Sequence, residues 1–275
     1  MTRIANDSLL SGSFPSVCKH AVAKLLLRKP ALDHSDLKNY RPVSNLSFLS
    51  KVIEKIVLRQ LFDYLDSNDL LCPSQSAYRP CHSPEKALLK IANDVLGALD
   101  DDHVAVLILL DPSSAFDAIG HYILLHRLRS LYGISGSVLL WFESYLTGRT
   151  QTAIVNDKSS RRVFFGVREG SVLGPILFIV YSTPLSSLGE THSVSNQSFA
   201  DDTQVLHSCP PTKLLSTVLT MQTCISDVKT WMTQNKLKLN DDKTEVLLIK
   251  SNRPTFPNAQ PTSLCIGSAD IPFMT

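Results

Sequence analysis

Three aspartates beside apolar segments are the residues of this chain whose types and spacing best suit metal-dependent chemistry. Asp111 follows directly on the apolar run 104–110, and Asp201 and Asp202 stand side by side shortly before the apolar pair 205–206. A carboxylate next to a buried strand is costly unless it is paired or binds a cation, and two adjacent carboxylates repel each other. If the two strands are neighbours, the acids converge. They could then hold two Mg²⁺ ions roughly 3.5–4 Å apart, the arrangement that stabilises the attacking and leaving oxygens in phosphoryl or nucleotidyl transfer.

Each of these motifs also has a purely structural explanation. Residues 111–114 (Asp-Pro-Ser-Ser) make a good helix start, with the Asp as N-cap and the Pro at the first helical position. Residues 201–203 (Asp-Asp-Thr) have the composition of an ordinary hairpin turn. Taken singly, either motif is better explained by local structure. Their joint occurrence in one chain, with the intervening order of segments, favours the metal site.

The elements that must position these acids follow from the hydrophobic periodicity. Helical spacing predicts helices at 46–65, 83–99, 123–132, 138–146, 171–181 and 214–237. Short apolar runs predict strands at 104–110 and 245–249, and hairpins at 150–167 and 194–206. Strands and helices do not alternate one by one, which favours the α+β class, an antiparallel sheet backed by helices. The segment 263–274 has no partner strand after it and predicts an unfinished strand with an exposed edge.

Composition excludes several classes of protein. No apolar run approaches the roughly 20 residues of a membrane helix, and residues 1–14 lack the layout of a signal peptide. The six cysteines show no CxxC pair, which is typical of a reduced intracellular compartment. Cys72, Cys81 and His82 have no matching second pair of zinc ligands, so we interpret them as thiols and a histidine without a metal. We expect an intracellular protein, nuclear or cytoplasmic, that is neither secreted nor in a membrane.

The charge is unevenly distributed along the chain. The first 60 residues hold ten Lys and Arg against four Asp and Glu, although the net charge of the whole chain is +2. The rest of the chain is therefore mildly acidic. This asymmetry is what a polyanion-binding surface beside a carboxylate site would produce, although an ordinary solvated surface would also account for it.

Several segments together resemble the reverse transcriptases of non-LTR (LINE-type) retrotransposons. The segments that carry the resemblance are, in chain order, 37–44 (LKNYRPVS), 75–80 (QSAYRP), 109–117 (LLDPSSAFD), 166–175 (GVREGSVLGP), 199–204 (FADDTQ), 231–240 (WMTQNKLKLN) and 243–245 (KTE). They extend in order over about residues 17–250, and the joint pattern is specific although each piece alone is weak.

The resemblance implies a right-hand polymerase fold. A loose lead-in would occupy residues 1–16, a helical fingers region 17–100, the palm 101–250, and a Pro-rich tail with the unfinished strand 251–275. No thumb follows, so we expect a copy truncated at its C-terminus. The implied activity is RNA-directed DNA polymerisation, with an RNA template, a DNA primer and deoxynucleoside triphosphates as partners.

The resemblance also implies roles for individual residues. Asp111 and Asp201 would be the main ligands of two Mg²⁺ ions, with Asp202 in a supporting role, and Lys243 would be a candidate proton donor to pyrophosphate. The implied substrate-binding residues are Arg41 and Arg79 (triphosphate or template), Phe116 (beneath the sugar, excluding a ribose 2′-hydroxyl) and Gly170 (close backbone approach). As alternatives, the arginines form surface ion pairs, Phe116 is core, Gly170 is a helix entry and Lys243 is a solvated cation.

The chain departs from the family pattern where Arg168 and Glu169 replace the usual Pro-Gln before Gly170. A carboxylate there adds like-charge repulsion beside template and triphosphate. This keeps a second hypothesis open, a catalytically inactive retroelement remnant that at most binds nucleic acid. A third, a two-metal phosphohydrolase, is less consistent with the sequence, because Ser113 stands where that class has a second Asp.

Overall fold

The protein is described by a computed structural model over residues 2–36, 39–113, 118–155, 158–159, 163–164, 170–251, 261–266 and 269–274. The helices are α1 (Thr2–Ser11), α2 (Phe48–Ser67), α3 (Pro84–Asp100), α4 (His121–Ser130), α5 (Gly136–Leu146), α6 (Gly174–Ser182), α7 (Leu185–Thr191) and α8 (Leu214–Gln234). The strands are β1 (His20–Leu27), β2 (Tyr40–Asn45), β3 (Val104–Leu110), β4 (Pro112–Ser113), β5 (Thr150–Val155), β6 (Lys158–Ser159), β7 (Val163–Phe164), β8 (Ser195–Phe199), β9 (Asp202–Cys209), β10 (Lys238–Leu239), β11 (Glu245–Ile249), β12 (Ser263–Ile266) and β13 (Ala269–Met274).

The chain divides into two compact units, each assembled from two separate stretches. The first unit contains Met1–Leu71 and Phe116–Tyr181, and the second contains Cys72–Ala115 and Ser182–Thr275. Both combine helices with β-strands, so the predicted α+β class is confirmed. The unit boundaries differ from those expected for a fingers region at 17–100 and a palm at 101–250, and these functional divisions stay predictions.

The first unit contains a sheet in the order β2-β1-β5-β6, with β7 also on β5. β1 and β5 are parallel and the other pairs are antiparallel. The loose lead-in expected over residues 1–16 is instead α1, followed by Phe14, whose buried ring lies edge-on to those of Trp141 and Tyr145. The Trp141 Nε1 also donates to Ser8 Oγ at 2.9 Å. Tertiary packing on α5 stabilises this helix, which is too short to be stable alone.

A buried carboxylate connects α2 to the segment that leads into α6. Glu54 has no exposed surface, and its Oε1 accepts a hydrogen bond from Ser50 Oγ at 2.7 Å and lies 3.9 Å from Arg149 Nη2. Its Oε2 accepts hydrogen bonds from the backbone amides of Val172 at 2.8 Å and Leu173 at 3.3 Å. These contacts fix the backbone directly after Gly170 to the core of the unit.

The second unit is built on a sheet in the order β12-β13-β11-β3-β9-β8. All pairs are antiparallel except β11 with β13. β3 is flanked by β11 and β9, and its residues are buried except Leu109, which is half-buried, so the predicted central strand is confirmed. On one face of the sheet, α3 packs its buried Ile91 and Val95 against Ala105, Leu107 and Leu206.

The segment 263–274, expected to be one unfinished strand with no partner after it, contains two strands in the structure, and β12 lies at the end of the sheet order. β12 and β13 form a hairpin, and β13 continues the sheet by pairing in parallel with β11, Val246 opposite Phe273. The partner was missed because β11 precedes this segment in the chain, and a hydrophobic pattern gives no information about which strand is its neighbour.

The remaining helices and hairpins agree with the periodicity to within a few residues. Ser83 caps α3 as expected, its side chain accepting a hydrogen bond from the Lys86 amide. α6 begins at Gly174 instead of residue 171, because Pro175 suits the first turn of a helix and has no amide proton to donate further in. Among the described residues, no helix is long and apolar enough to cross a membrane.

Glu54→Ala tests the buried connection in the first unit. It leaves the Arg149 guanidinium buried without its carboxylate and two amides without an acceptor, so we expect the free energy of unfolding to fall by about 3–5 kcal/mol. Urea unfolding followed by the fluorescence of buried Trp141, in a Trp231→Phe background, measures this loss.

Asp7→Ala is the control, because it removes an exposed ion pair with Arg3 and should cost less than about 1 kcal/mol. A loss for Glu54→Ala as small as that of the control would contradict the assigned role of this carboxylate.

Candidate active site

The site is centred on the end of the buried strand β3. Asp111 follows Leu110, which pairs with Thr203 of β9, so the same antiparallel register brings Asp111 opposite Asp202. On the other side, the Asn240 amide donates to the Asp111 carbonyl oxygen at 3.0 Å. The backbone of Asp111 is thus held on one side by Asn240, and it lies one residue beyond the end of the β3–β9 ladder, where the hydrophobic run ends.

The tip of the β8–β9 hairpin carries the other two acids. Phe199 pairs with Asp202, which leaves Ala200 and Asp201 as a two-residue loop. Ala200 has a φ of 59°, the left-handed value of the first loop residue in a type II′ turn, where glycine is usual. A residue with a Cβ pays roughly 1–2 kcal/mol for this conformation. The surrounding contacts must therefore hold the tip in place.

Lys243 reaches the site from a three-residue bulge in the strand on the other side of β3. Glu245 pairs with Leu109, whereas Asn240 faces Asp111, so the turn Asp241–Lys243 is extra relative to the opposing strand. The bulge turns the Lys243 side chain over the end of β3, and its Nζ lies 2.6 Å from Asp111 Oδ2.

A second lysine holds this bulge from the long helix α8. The Lys229 Nζ donates to both Oδ1 and Oδ2 of Asp241 at 2.9 Å. Within the turn, the Lys243 amide donates to the Asn240 carbonyl oxygen at 3.1 Å. The ion pair between Lys229 on α8 and Asp241, the first residue of the bulge, thus helps to set the position of Lys243.

Two of the acids and the lysine line one pocket of about 420 Å³. Its polar lining includes Asp111, Asp202, Asp242, Lys243 and Glu245. The pocket is therefore rich in carboxylate oxygens, with one ammonium group among them. Carboxylate oxygens with room for water and phosphate oxygens are the surroundings that Mg²⁺ prefers in proteins.

The carboxylates of the hairpin tip are held in an unfavourable electrostatic environment. Burial, and then the charge of Asp111, raise the pKa of Asp201, although Lys243 acts in the opposite direction. Burial raises the pKa of Asp202 as well, and the charges of Asp201 and Asp111 add to this. The three aspartates therefore lie within electrostatic range of one another, and a divalent cation would relieve a repulsion that Lys243 only partly offsets.

The sequence predicted Asp111 and Asp201 as the main metal ligands, with Asp202 in support. In the structure Asp111 and Asp202 line the pocket, and Asp201 lies beside them in the hairpin loop, within electrostatic range of Asp111. Within the described ranges, no group of three or more His, Cys, Asp or Glu side chains is arranged to hold a metal ion. The donor type fits a magnesium site, and the three-acid cluster itself stays a prediction.

Arg79, predicted to meet triphosphate or template, braces its own loop in the second unit. One guanidinium nitrogen, Nη1, donates to the carbonyl oxygens of Cys72 at 2.9 Å and Gln75 at 3.4 Å. The predicted contact of Arg79 with substrate would therefore use the other guanidinium nitrogens, Nη2 and Nε, which are also donors.

The other predicted substrate-binding residues belong to the first unit. The backbone of Arg41 lies in β2, opposite Leu26 of β1. Gly170 has a φ of 93°, and a Cβ there would lie 2.9 Å from the Ser44 carbonyl oxygen, so only glycine fits. This close approach explains Gly170 structurally. Phe116 and the departures at Arg168 and Glu169 lie outside the described residues.

Sequence reasoning missed Tyr78 and Lys229. Tyr78 is half-exposed with a φ of 57°, and burial and the nearby Asp201 carboxylate raise its pKa. Its only sequence signal was an aromatic residue beside Arg79. Lys229 lies on a helix whose pattern indicates only which face is buried, and nothing in that pattern pairs it with Asp241.

Asp201→Asn tests the electrostatic cost of the Asp201 carboxylate at the hairpin tip. Because the pKa of Asp201 is raised, the folded state binds the carboxyl proton more tightly than the unfolded state does. The free energy of unfolding therefore falls as the pH rises from the ordinary pKa of 3.8 through the raised pKa. Asn carries no charge, so in EDTA at neutral pH we expect the free energy of unfolding to rise by about 0.5 kcal/mol or more. The difference should vanish in acid, where the wild-type carboxyl is protonated.

Urea unfolding followed by Trp231 fluorescence, in a Trp141→Phe background, measures this difference. Asp270→Asn, at an exposed position on β13 away from any helix end, is the control and should show no such gain. A less stable Asp201→Asn protein in EDTA at neutral pH would contradict the assigned repulsion.

Comparisons with known proteins identify the family of the chain. The family model for "Reverse transcriptase (RNA-dependent DNA polymerase)" matches residues 27–264. The RNA-directed DNA polymerase from mobile element jockey of Drosophila melanogaster is 29% identical over 248 residues, which cover 87% of this chain and 26% of the relative. The probable RNA-directed DNA polymerase from transposon BS of the same species is 29% identical over 88% of this chain and 27% of its own length. The chain thus spans about a quarter of the length of these relatives.

Solved structures show the same fold at low sequence identity. Apo telomerase from Candida tropicalis, truncated from its C-terminal domain, superimposes with a TM-score of 0.61 at 14% identity over 94% of this chain and 54% of that one. The C. tropicalis telomerase complex with the TWJ fragment of telomeric RNA gives a TM-score of 0.60 at 13% identity, over 93% of this chain and 46% of that one. The predicted polymerase palm and the resemblance to retrotransposon reverse transcriptases are confirmed. The chain belongs to the reverse transcriptase family.

Proposed function

We propose that this chain is the RNA-directed DNA polymerase domain of a non-LTR retrotransposon. In this reaction the primer 3′-hydroxyl oxygen forms a bond to the α-phosphorus of a deoxynucleoside triphosphate, and the bond to the leaving pyrophosphate breaks. The observation that carries the proposal is the pocket at the end of β3, where Asp111, Asp202 and Lys243 meet in a chain of this family.

The aspartates would supply the ligands for divalent cations, which the family generally uses. Asp111, Asp201 and Asp202 would hold two Mg²⁺ ions. When bound, these ions activate the hydroxyl and neutralise charge on the phosphates. The chain's own contribution is to hold the carboxylates in place. The ladder pairing β3 with β9 ends at Leu110 and Thr203, directly beside Asp111 and Asp202, and Asp201 lies in the adjoining hairpin loop.

Lys243 would act on the leaving group. Its ammonium is half-exposed at the pocket and bonded to Asp111 Oδ2. It is therefore within reach of a group bound in the pocket, and its proton could be transferred to a pyrophosphate oxygen as that oxygen gains charge. In the free protein its charge also partly offsets the repulsion between the acids.

The nucleic-acid and triphosphate contacts are proposed from residue chemistry and family membership. Arg41 and Arg79 would contact the triphosphate or template, because a guanidinium fork matches phosphate oxygens. Phe116 would lie beneath the sugar, and Gly170 would allow the template and nucleotide to approach the backbone. The basic N-terminal segment would add an attraction for phosphates that weakens with salt. An RNA template is consistent with the telomerase neighbour that was solved with telomeric RNA.

A second candidate function is nucleic-acid binding without catalysis. Two observations favour it. The Asp111 carboxylate already bonds an ammonium group, and one guanidinium nitrogen of Arg79 is engaged by backbone carbonyls. A remnant of this kind would keep the fold and the basic surface while the acids bind no metal.

Primer extension separates the two candidates. The full chain is incubated with an RNA template, an annealed DNA primer, deoxynucleoside triphosphates and Mg²⁺, and extended primer is measured. We expect Asp111→Asn and Asp201→Asn each to reduce the rate at least about 100-fold, because even outer partners of a metal site cost 10–100-fold. Asp100→Asn, an exposed acid of the same unit, is the matched control and should leave the rate unchanged.

Extension that survives Asp201→Asn would remove the metal assignment. A wild-type chain that binds template-primer without extending it would contradict the first candidate and support the second. Phosphate release without any template would instead indicate a phosphohydrolase.

Lys243→Met tests the proton donor. We expect kcat to fall about 100-fold because general acid catalysis is lost, and the basic limb of the pH–rate profile to flatten, with template-primer affinity unchanged. Lys238→Met, at an exposed lysine on β10, is the control. If both variants keep wild-type kcat and pH profile, Lys243 is an ordinary solvated cation.

A further inference from the structure

Gln75 binds both backbone groups of the residue that precedes Asp201. Its side chain is buried, with only 5% of the residue exposed. The Gln75 Nε2 donates to the Ala200 carbonyl oxygen at 3.0 Å, and the Ala200 amide donates to Gln75 Oε1 at 3.0 Å. One primary amide therefore closes a two-bond ring with the first residue of the hairpin loop.

This glutamine is itself rigidly held. The Ala77 amide donates to the same Oε1 at 3.0 Å, and Arg79 Nη1 donates to the Gln75 carbonyl oxygen at 3.4 Å. Its backbone lies alongside β8, where Ser76 N donates to the Ser198 carbonyl oxygen at 2.9 Å. The side chain is fixed at its base, so its bonds to Ala200 can transmit that rigidity to the loop.

The two bonds act on the peptide planes that carry Asp201. The Ala200 carbonyl belongs to the peptide joining Ala200 to Asp201, and the Ala200 amide belongs to the preceding peptide. Together these planes define the φ and ψ of Ala200, which has the left-handed φ of 59° that a residue with a Cβ rarely adopts. Losing the bonds frees Ala200 to leave this conformation and rotates the carboxylate that follows.

We propose that Gln75 is a positioning residue, which holds Asp201 in the orientation needed to bind a divalent cation and does so through the backbone of Ala200. This inference rests on the proposed function. It extends that function by assigning the geometry of the hairpin tip to a residue that lies far from it in the sequence and contacts no substrate.

Gln197 provides a matched control within the same unit. It is equally buried, also with 5% exposed, and its amide is also satisfied: Nε2 donates to Ser76 Oγ at 2.8 Å and Oε1 accepts from Lys90 Nζ at 2.9 Å. Its Nε2 also donates to the Ser198 carbonyl oxygen at 3.5 Å, within its own strand β8. None of these partners lies in the hairpin loop. Replacing either glutamine with Met removes a buried amide at similar volume, but only Gln75→Met releases Ala200.

Hydrogen–deuterium exchange at residues 199–202 measures order at the tip in the metal-free full chain. We expect Gln75→Met to lose protection at the Ala200 amide and Gln197→Met to keep it, with both variants melting cooperatively. Equal protection at Ala200 in the two variants would overturn the inference, and this result does not depend on whether the chain is a polymerase.

Binding of Mn²⁺, followed by electron paramagnetic resonance without nucleic acid, reports on the orientation of the acids. We expect Gln75→Met to weaken Mn²⁺ binding about 10- to 100-fold, as partners behind metal ligands do, and Gln197→Met to leave it unchanged. In primer extension, Gln75→Met should lower kcat by about the same factor while the KM for the triphosphate stays constant. A common loss in both variants would indicate general destabilisation and overturn the positioning role.

Ala200→Gly in the Gln75→Met background distinguishes positioning from folding. Glycine adopts a positive φ without steric cost, so the double variant should recover part of the lost Mn²⁺ affinity. No recovery would overturn the assigned route through Ala200. If the wild-type chain binds Mn²⁺ but never extends a primer, the proposed function fails, whereas the exchange and Mn²⁺ results still decide the role of Gln75.

Discussion

The cost of holding partly buried carboxylates close together at the end of a buried strand is the constraint on which the candidate site depends. β3 is covered on both faces and ends at Leu110, so Asp111 is the first residue that can turn its side chain away from the core. The ladder with β9 brings Asp202 opposite, and the hairpin loop adds Asp201 next to it. Burial and mutual charge then raise the pKa of both acids of the loop. Holding two acids with raised pKa values costs stability at neutral pH, and a bound cation would recover it.

Short irregular segments position the charged groups, and polar side chains from other parts of the second unit hold each segment by hydrogen bonds. The bulge with Lys243 is attached to α8 through Lys229, and the loop before Asp201 is held by Gln75. The side chains of Lys229 and Gln75 are at least partly buried. In such surroundings a hydrogen bond to a fixed partner is strong, and losing one partner is costly. The sheet supplies the rigidity, and these side chains extend it to residues outside the ladders.

The regular elements could be predicted from the sequence because each leaves a periodic pattern. The apolar run 104–110 indicated a buried strand, and the acids that follow it indicated the site. What could not be predicted depends on contacts between distant positions. The pairing of β13 with β11, the packing of α1 on α5, and the bonds from Gln75 to a residue 125 positions later leave no local pattern.

The response of the folded chain to Mg²⁺ tests the central claim most directly. If the three aspartates form a cation site, Mg²⁺ binds the native state in preference to the unfolded one, and the melting temperature at neutral pH rises with its concentration. The same titration of a variant with Asn at positions 111, 201 and 202 should be flat, from a metal-free melting temperature at or above that of the wild type. A wild-type melting temperature that does not respond to Mg²⁺, or that rises equally in the variant, would contradict the claim.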